Sequence, residues 1–389
     1  LLESGVYVDG EGKNWAPGVA TNADGKRRYF GFKHTSKGDK VAFFENFLKE
    51  QPADAPFFYW FGSSYPHRPY TPDCGVAAGK KPEEIDRVPG IWPDDEMVRR
   101  DMLDYAVQIE AFDAQVGELM RLLEASGKAS NTLVIVTSDN GMPFPRSKGH
   151  NYNISNLLPL VAYWPNGIVR SGRRVTDFVS FIDFAPTFLE LLGVDGVKGG
   201  MFPITGRSFT DLLRNKPEHV RDFVIMGRER NGNIFRPGTP SGLGYPIRSI
   251  RKGNLLYNRN FEPDRWPCGN PELGLKDTDS GPTKKFMVDL GEQSLFWQNS
   301  FGKRPAEELF DLSKDPDCLN NLAENPEYKK DLAALRNQLT EELIKQNDPR
   351  ILGQGAVFDN YFGATWTPAG TVNLMVWTNT SATGLLQKK

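Results

Sequence analysis

Cysteine is scarce: Cys74, Cys268 and Cys318 are the only three in 389 residues. They lie far apart and lack metal-type spacing, which excludes a cysteine-built metal centre. One pair could bridge, but an odd count leaves a thiol free, so the redox compartment stays open. An excess of one charge is missing too. The 47 Lys and Arg residues stand against 49 Asp and Glu, a net charge of −2. No basic field exists to hold nucleic acid, and an anionic ligand has to be held by local cations. No segment approaches the roughly 18 apolar residues of a membrane span. Internal repeats and low-complexity runs are absent. The remaining composition is that of an ordinary soluble enzyme, long enough to bury a large core in about two or three domains.

The run from Thr132 to Ser138 is β-branched and aliphatic and ends abruptly at Asp139-Asn140-Gly141. Such a run predicts a central parallel strand covered on both faces. Strand ends of open α/β sheets form the crevice where ligands bind. Asp139 offers a carboxylate and Asn140 a carbonyl oxygen, the hard donors that Ca²⁺ or Mg²⁺ prefers. An isolated Asp-Asn-Gly is more simply a turn; Lys148, nine residues on, adds a cation for an anion beside the metal.

Elsewhere in the first half, strand and helix signals alternate, which predicts an α/β fold. Residues 56–61 read as a short strand with His67 just past its end. Asp94-Asp95-Glu96 places acids at a helix start. Met102, Tyr105, Ile109, Phe112, Val116, Leu119 and Leu123 then recur at helical spacing and predict one buried face. Asp113, between them, reads as a structural hydrogen-bonding group. Asp183 is expected to cap a helix from Phe184 to Leu192, stopped by Gly193, and Thr205-Gly-Arg-Ser208 to open a further short one.

From about residue 220 the text changes to short strands between Gly-, Pro- and Asn-rich turns. A smaller antiparallel sheet is expected there, crossed by an amphipathic helix near Tyr328 to Lys345. The tail beyond Pro349 is expected to wrap the surface. The predicted architecture is therefore a large mixed, mostly parallel sheet flanked by helices over residues 1–215, with a smaller C-terminal antiparallel sheet plus helix over 216–389.

Several segments resemble the sulfatase family of the alkaline-phosphatase superfamily. Asp139-Asn140-Gly141 with Lys148, Tyr152 and Pro159 to Pro165 resembles its metal-and-lysine segment. Gly5 to Lys13 resembles its second signature, Tyr65-Pro-His67-Arg-Pro-Tyr70 its histidine loop, and Ser180-Phe-Ile-Asp183-Phe-Ala-Pro186 its helix-start motif. Within the family the resemblance is strongest to heparan N-sulfatase (sulfamidase) proteins and their bacterial relatives. It is carried by Ser138 to Pro145, Pro66-His67-Arg68, Tyr245 to Ser249, Asn258 to Phe261, and Glu308 to Pro316 with Asn321-Leu-Ala323.

The resemblance implies an alkaline-phosphatase-like fold and a set of roles. Asp139 and Asn140 would be ligands of Ca²⁺. Lys13 and Lys148 would contact sulfate oxygens, and His67 would do so as a hydrogen-bond donor that can protonate the leaving group. The family nucleophile, a formylglycine made from Cys or Ser in a Cys/Ser-x-Pro-x-Arg motif, is expected upstream of residue 1; we expect a truncated chain, a fragment or a processed protein. Ser280-Gly-Pro282-Thr-Lys284 mimics that motif with Lys for Arg and reads as a loop. Trp15 stands where the family signature has a histidine, and an indole cannot exchange protons near neutral pH. Ser155-Asn156 likewise replace a Gly-x-Arg-type sequence.

His150, Arg228, Arg230 and Arg248 are candidates for substrate binding, since guanidinium groups recognise carboxylate and sulfate. Arg259 is a similar candidate, and Trp266 could stack on a sugar. Structural ion pairs and core packing are the competing readings for these residues. His34 and His219 have no informative context. Asn153 and Asn379 begin glycosylation sequons, Asn153 close to the expected pocket.

The resemblance implies hydrolysis of sulfated glycans, with N-sulfoglucosamine of heparan type favoured. An O-sulfatase on another glycosaminoglycan or algal polysaccharide, a phosphodiester or phosphonate hydrolase, and a non-catalytic glycan-binding remnant are the alternatives. A secreted, periplasmic or lysosome-like location is expected from where such glycans occur.

Overall fold

A computed structural model describes residues 1–13, 40–199, 201, 203–216, 221–231, 236 and 242–359. Trp15, His34, His219, Asn379 and the tail from residue 360 lie outside the described residues.

In the first half, β1 (Tyr7–Gly12) pairs in parallel with β2 (Phe57–Gly62). The aromatic run Phe57 to Phe61 places Tyr59 and Phe57 against Phe44 and Phe47 of the helix Lys40–Glu50. Leu122 and Leu123 of the long helix Glu96–Ala125 complete that layer.

The expected metal strand is β3 (Val134–Thr137), and it pairs antiparallel with β4 (Leu160–Tyr163). A parallel, doubly covered strand was expected from its apolar text. The return segment instead holds only the short helix Asn153–Asn156. The segment between the strands is long enough for a crossover but supplies no helix long enough to cover the sheet, the usual route to a parallel pair.

In the second half, β5 (Phe223–Arg228), β6 (Ile247–Lys252), β7 (Leu255–Asn260) and β8 (Glu307–Asp311) form an antiparallel sheet in that order. The helix Lys329–Lys345 packs across it. Its Leu332, Leu335, Leu339 and Leu343 meet Ile250, Tyr257 and Leu309, an i, i+3/i+4 stripe laid on one face of a pleated sheet. The fold is thus mixed α/β, with parallel and antiparallel sheets flanked by helices, as the sequence predicts.

The long helix begins as its text requires: Asp95 is the N-cap, its side chain accepting the Met97 N–H at 2.8 Å. Its apolar stripe is mostly half-buried, and Ile109 is exposed. Asp113 is exposed as well, so the structural acids of this helix are Asp101 and Asp104. Asp104 accepts the N–H groups of Asp73 and Gly75 at 3.0 and 2.8 Å.

The helix Phe184–Leu192 ends at Gly193, whose φ of 65° is the left-handed stop. Asp183 is its N-cap residue, but its carboxylate turns away from the helix. It accepts the N–H groups of Ser180 and Arg207 and pairs with Arg221. Ser280 to Lys284 also departs from its expected loop: Pro282 opens the helix Pro282–Asp289, because a proline's fixed φ suits the first helical position.

All three cysteines are free thiols, with Cys268 and Cys318 buried. No helix among the described residues is long and apolar enough to cross a membrane.

Candidate active site

Lys13 lies just past β1. Its N–H donates to the Gly62 carbonyl at 2.8 Å, and Trp60 Nε1 donates to the Lys13 carbonyl at 3.2 Å. Any side chain at Gly62 would strike the Lys13 backbone, so glycine is what lets the two strand ends close on each other. Lys13 Nζ pairs with Asp139 Oδ2 at 2.5 Å, joining the end of β1 to the end of β3. Both side chains remain largely exposed, 47% and 60%.

His67 follows β2, its backbone N–H donating to the Ser64 carbonyl at 2.8 Å. Its Nδ1 sits 2.5 Å from the Arg68 carbonyl, and its Nε2 is 3.4 Å from Lys148 Nζ. A carbonyl can only accept, so Nδ1 carries the proton and Nε2 faces the lysine with its lone pair. Lys148 Nζ also pairs with Asp279 Oδ2 at 2.9 Å.

Arg68 holds these loops together from behind. Its Nε donates to the Pro143 carbonyl at 2.8 Å and its Nη2 to Asp101 Oδ2 at 2.8 Å. The same Asp101 oxygen accepts Thr283 Oγ1 at 2.7 Å. One buried acid therefore ties the histidine loop to the helix that follows Asp279, and the guanidinium ties it to the loop that leads to Lys148.

Between these loops and β5 lies a cavity of about 290 Å³. Asp139, Asn140, Lys148 and His150 line it from the first half, and Arg228, Glu229, Arg230 and Asn231 from the second. Gly149, at φ 77°, permits this closeness, since a Cβ there would come within 2.7 Å of the Asn231 side chain.

The structure thus brings Asp139, Asn140, Lys148, His150, Arg228 and Arg230 to one cavity and places His67 against Lys148. Arg248 stands apart from the lining. Its Nε pairs with Asp348 and its Nη2 with Glu229, both at 2.6 Å, while Nη1 donates to the Arg228 and Ile247 carbonyls. Arg259 lies over the Phe261 ring. Trp266 packs edge-on to Trp297, with its face toward Lys303. Asn153 has its amide engaged with Arg251 and the Pro316 carbonyl.

Electrostatics differ between the mouth and the wall of this cavity. His150 is fully buried, and burial, followed by the nearby Arg228 and Arg304, drives its pKa well below the ordinary imidazole value. It is a neutral ring at physiological pH. Arg228 and Arg236 share one carboxylate, Asp277 Oδ2, each at 2.5 Å.

For a divalent cation, Asp139 and Asn140 offer two adjacent hard oxygen donors at the cavity. Among the described residues no cluster of three or more His, Cys, Asp or Glu side chains could hold a metal. The donor type fits Ca²⁺, while the described set falls short of its six to eight oxygens.

Asp279, Asp101 and Asp277 were not foreseen from sequence. Each meets a partner far away in the chain, and none belongs to a periodic or motif pattern.

Residues 10–194 match the sulfatase family model. An ulvan-active sulfatase of Formosa agariphila is 29% identical over 72% of this chain and 44% of its own length. Human N-sulphoglucosamine sulphohydrolase is 26% identical over 80% of this chain and 65% of its own. The chain thus spans about half to two-thirds of these relatives. A solved structure in complex with its substrate D-glucosamine-2-N,6-O-disulfate superposes with a TM-score of 0.58 at 17% identity, covering 90% of this chain and 82% of that one. That likeness concerns the fold. Over residues 10–194 the chain is similar to the sulfatase family, and it resembles several sulfatases.

Proposed function

We propose that this chain acts as a sulfatase that hydrolyses sulfate groups from sulfated glycans, with N-sulfoglucosamine of heparan type as the favoured substrate. The observation that carries the reading is the meeting of Lys148, His67 and Asp279 beside the Asp139–Asn140 strand end, with arginines across the same cavity. The relatives named for N-sulphoglucosamine and for ulvan support the substrate class.

In this reading Lys148 and Lys13 neutralise the sulfonyl oxygens as charge builds on them, the role that preorganised cations play in group transfer. Asp279 keeps Lys148 Nζ in place beside His67. His67 Nδ1–H is held by the Arg68 carbonyl, so any proton it delivers to a departing nitrogen or oxygen leaves from Nε2. In the resting site Nε2 accepts from Lys148 Nζ, 3.4 Å away. It therefore takes its proton from water before delivering one, and Lys148 keeps the charge that the sulfonyl oxygens need. Asp139 and Asn140 would hold a calcium ion together with ligands beyond the described residues. A formylglycine, which the resemblance implies, would supply the nucleophile.

A secreted, periplasmic or lysosome-like compartment is proposed with this function. The division into a catalytic part, 1–215, and a smaller α+β part, 216–389, is proposed on the same basis; the cavity draws its two walls from either side of that boundary.

The test is sulfate release by the full-length protein from N-sulfoglucosamine, 6-O-sulfated glucosamine and sulfated ulvan oligosaccharides. Release from the first names the N–S bond, and release from the others alone would replace it with O-sulfate chemistry. No release from any would leave a glycan-binding protein.

A further inference from the structure

Two residues on the wall of the cavity carry buried polar atoms that the fold leaves unmatched. Arg228 is 7% exposed. Its Nη2 donates to Asp277 and to the Pro267 carbonyl, whereas Nε and Nη1 have no acceptor among the described residues. His150 is 4% exposed, and its Nδ1 has no partner among the described residues.

The tautomer of His150 follows from its neighbours. Its Nε2 lies 3.4 Å from Cys268 Sγ, and that thiol is directed at the Ser300 carbonyl, 3.3 Å away. A thiol has a single proton, and a carbonyl can only accept it. The ring proton is therefore on Nε2, pointing at sulfur, and Nδ1 is a bare acceptor.

The local charge is not balanced either. Arg228 and Arg236 share the one carboxylate of Asp277. The acids that line the cavity are engaged elsewhere, Glu229 by Arg248 and Arg350 and Asp139 by Lys13. One positive charge stays in surplus beside two open N–H groups. Unmatched buried polar groups are rare and costly in native proteins. Three of them on two residues of one cavity ask for a ligand with the opposite pattern.

We propose that Arg228 and His150 form a recognition subsite for an oxyanion that neighbours a hydroxyl group on the substrate sugar. The oxyanion accepts from Arg228 Nε and Nη1, and the hydroxyl donates to His150 Nδ1. This rests on the sulfated-glycan reading and adds to it a second recognised group, apart from the sulfate that is cleaved. A uronic acid carboxylate and a second sulfate ester share this chemistry. A bare inorganic sulfate matches only half of it, because it has no proton to give at neutral pH.

Calorimetric binding to the full-length protein tests the subsite without relying on turnover. The probes are glucosamine, glucosamine 6-sulfate and glucosamine linked to glucuronic acid. At least one anionic probe should bind about ten-fold or more tightly than glucosamine, the worth of a charge-assisted contact. Arg228→Lys and, separately, His150→Phe should each shrink that ratio several-fold. The anionic probe that wins identifies sulfate or carboxylate. Equal binding of all three probes by the wild type, or a ratio that survives both substitutions, overturns the proposal. Sulfate release from N-sulfoglucosamine, followed in parallel, separates the two readings. Release with no binding preference removes the subsite alone, and preference with no release keeps the subsite and removes the hydrolytic reading.

Discussion

Replacing Asp101 by alanine should unlock the support of the His67 loop, at a cost that can be worked from its contacts. Asp101 is 1% exposed and Arg68 9%. One oxygen of the acid, Oδ2, accepts from Arg68 Nη2 at 2.8 Å and from the N–H and Oγ1 of Thr283 at 3.2 and 2.7 Å. In Asp101→Ala the guanidinium stays buried between the Tyr70 and Phe144 rings, 4.5 and 4.6 Å from their centroids, with the Pro143 carbonyl as its remaining described acceptor. Removing one partner of a buried pair costs about 3–5 kcal/mol, mostly as the penalty on the charge left behind.

Asp101→Asn keeps the shape and an acceptor for Thr283, so its loss should be smaller, about 1.5–3 kcal/mol. Arg68→Met combined with Asp101→Leu removes both charges and should recover most of the deficit. Urea unfolding followed by tryptophan fluorescence measures all three. An Asp101→Ala protein within about 1 kcal/mol of wild type, or a double variant no better than the single one, would refute this account of the ion pair.

Two further outcomes follow from the structure. The folded chain refuses a proton at His150, while an unfolded imidazole takes one near pH 6.5. The unfolded state therefore binds more protons below that pH, and stability should fall as the solution is acidified, by up to about 1.4 kcal/mol per pH unit from this residue. His150→Gln should flatten the slope in unfolding curves taken between about pH 7.5 and about pH 5, and an unchanged slope would count against a neutral buried ring. Leu339, 1% exposed between the helix Lys329–Lys345 and the antiparallel sheet, should cost about 2–5 kcal/mol when cut to alanine. A loss below that range in the same unfolding assay would mean that this interface collapses freely.

Much of this layout can be read from local text. The leucines of the helix Lys329–Lys345 repeat at helical spacing, and the β-branched run before Asp139 announces a strand that ends in oxygen donors. Lys13, His67 and Lys148 each stand just past a strand or within a turn-rich loop, where motif and geometry coincide. Strand direction is less legible. The residues of β3 suit either pairing, and only the route of the chain to β4 makes the pair antiparallel. The supporting acids were invisible for a related reason. Asp101 looks like a surface residue of an amphipathic helix until Arg68 and Thr283 are folded onto it. Asp277 and Asp279 sit in a polar stretch that reads as loop, yet one bridges two buried arginines and the other holds Lys148. Arg248 shows the converse. Its sequence setting suggests recognition, but Asp348, Glu229 and two carbonyls engage every nitrogen of its guanidinium.

The most direct test of the central claim is sulfate release by the full-length protein and by its Lys148→Ala variant, compared at equal concentration after matching unfolding curves establish that both are folded. Loss of a preorganised cation at the reacting group predicts a fall of about 100-fold or more in kcat/KM. Sulfate release that persists undiminished without Lys148 would contradict the proposal that this cavity is the sulfate-cleaving site.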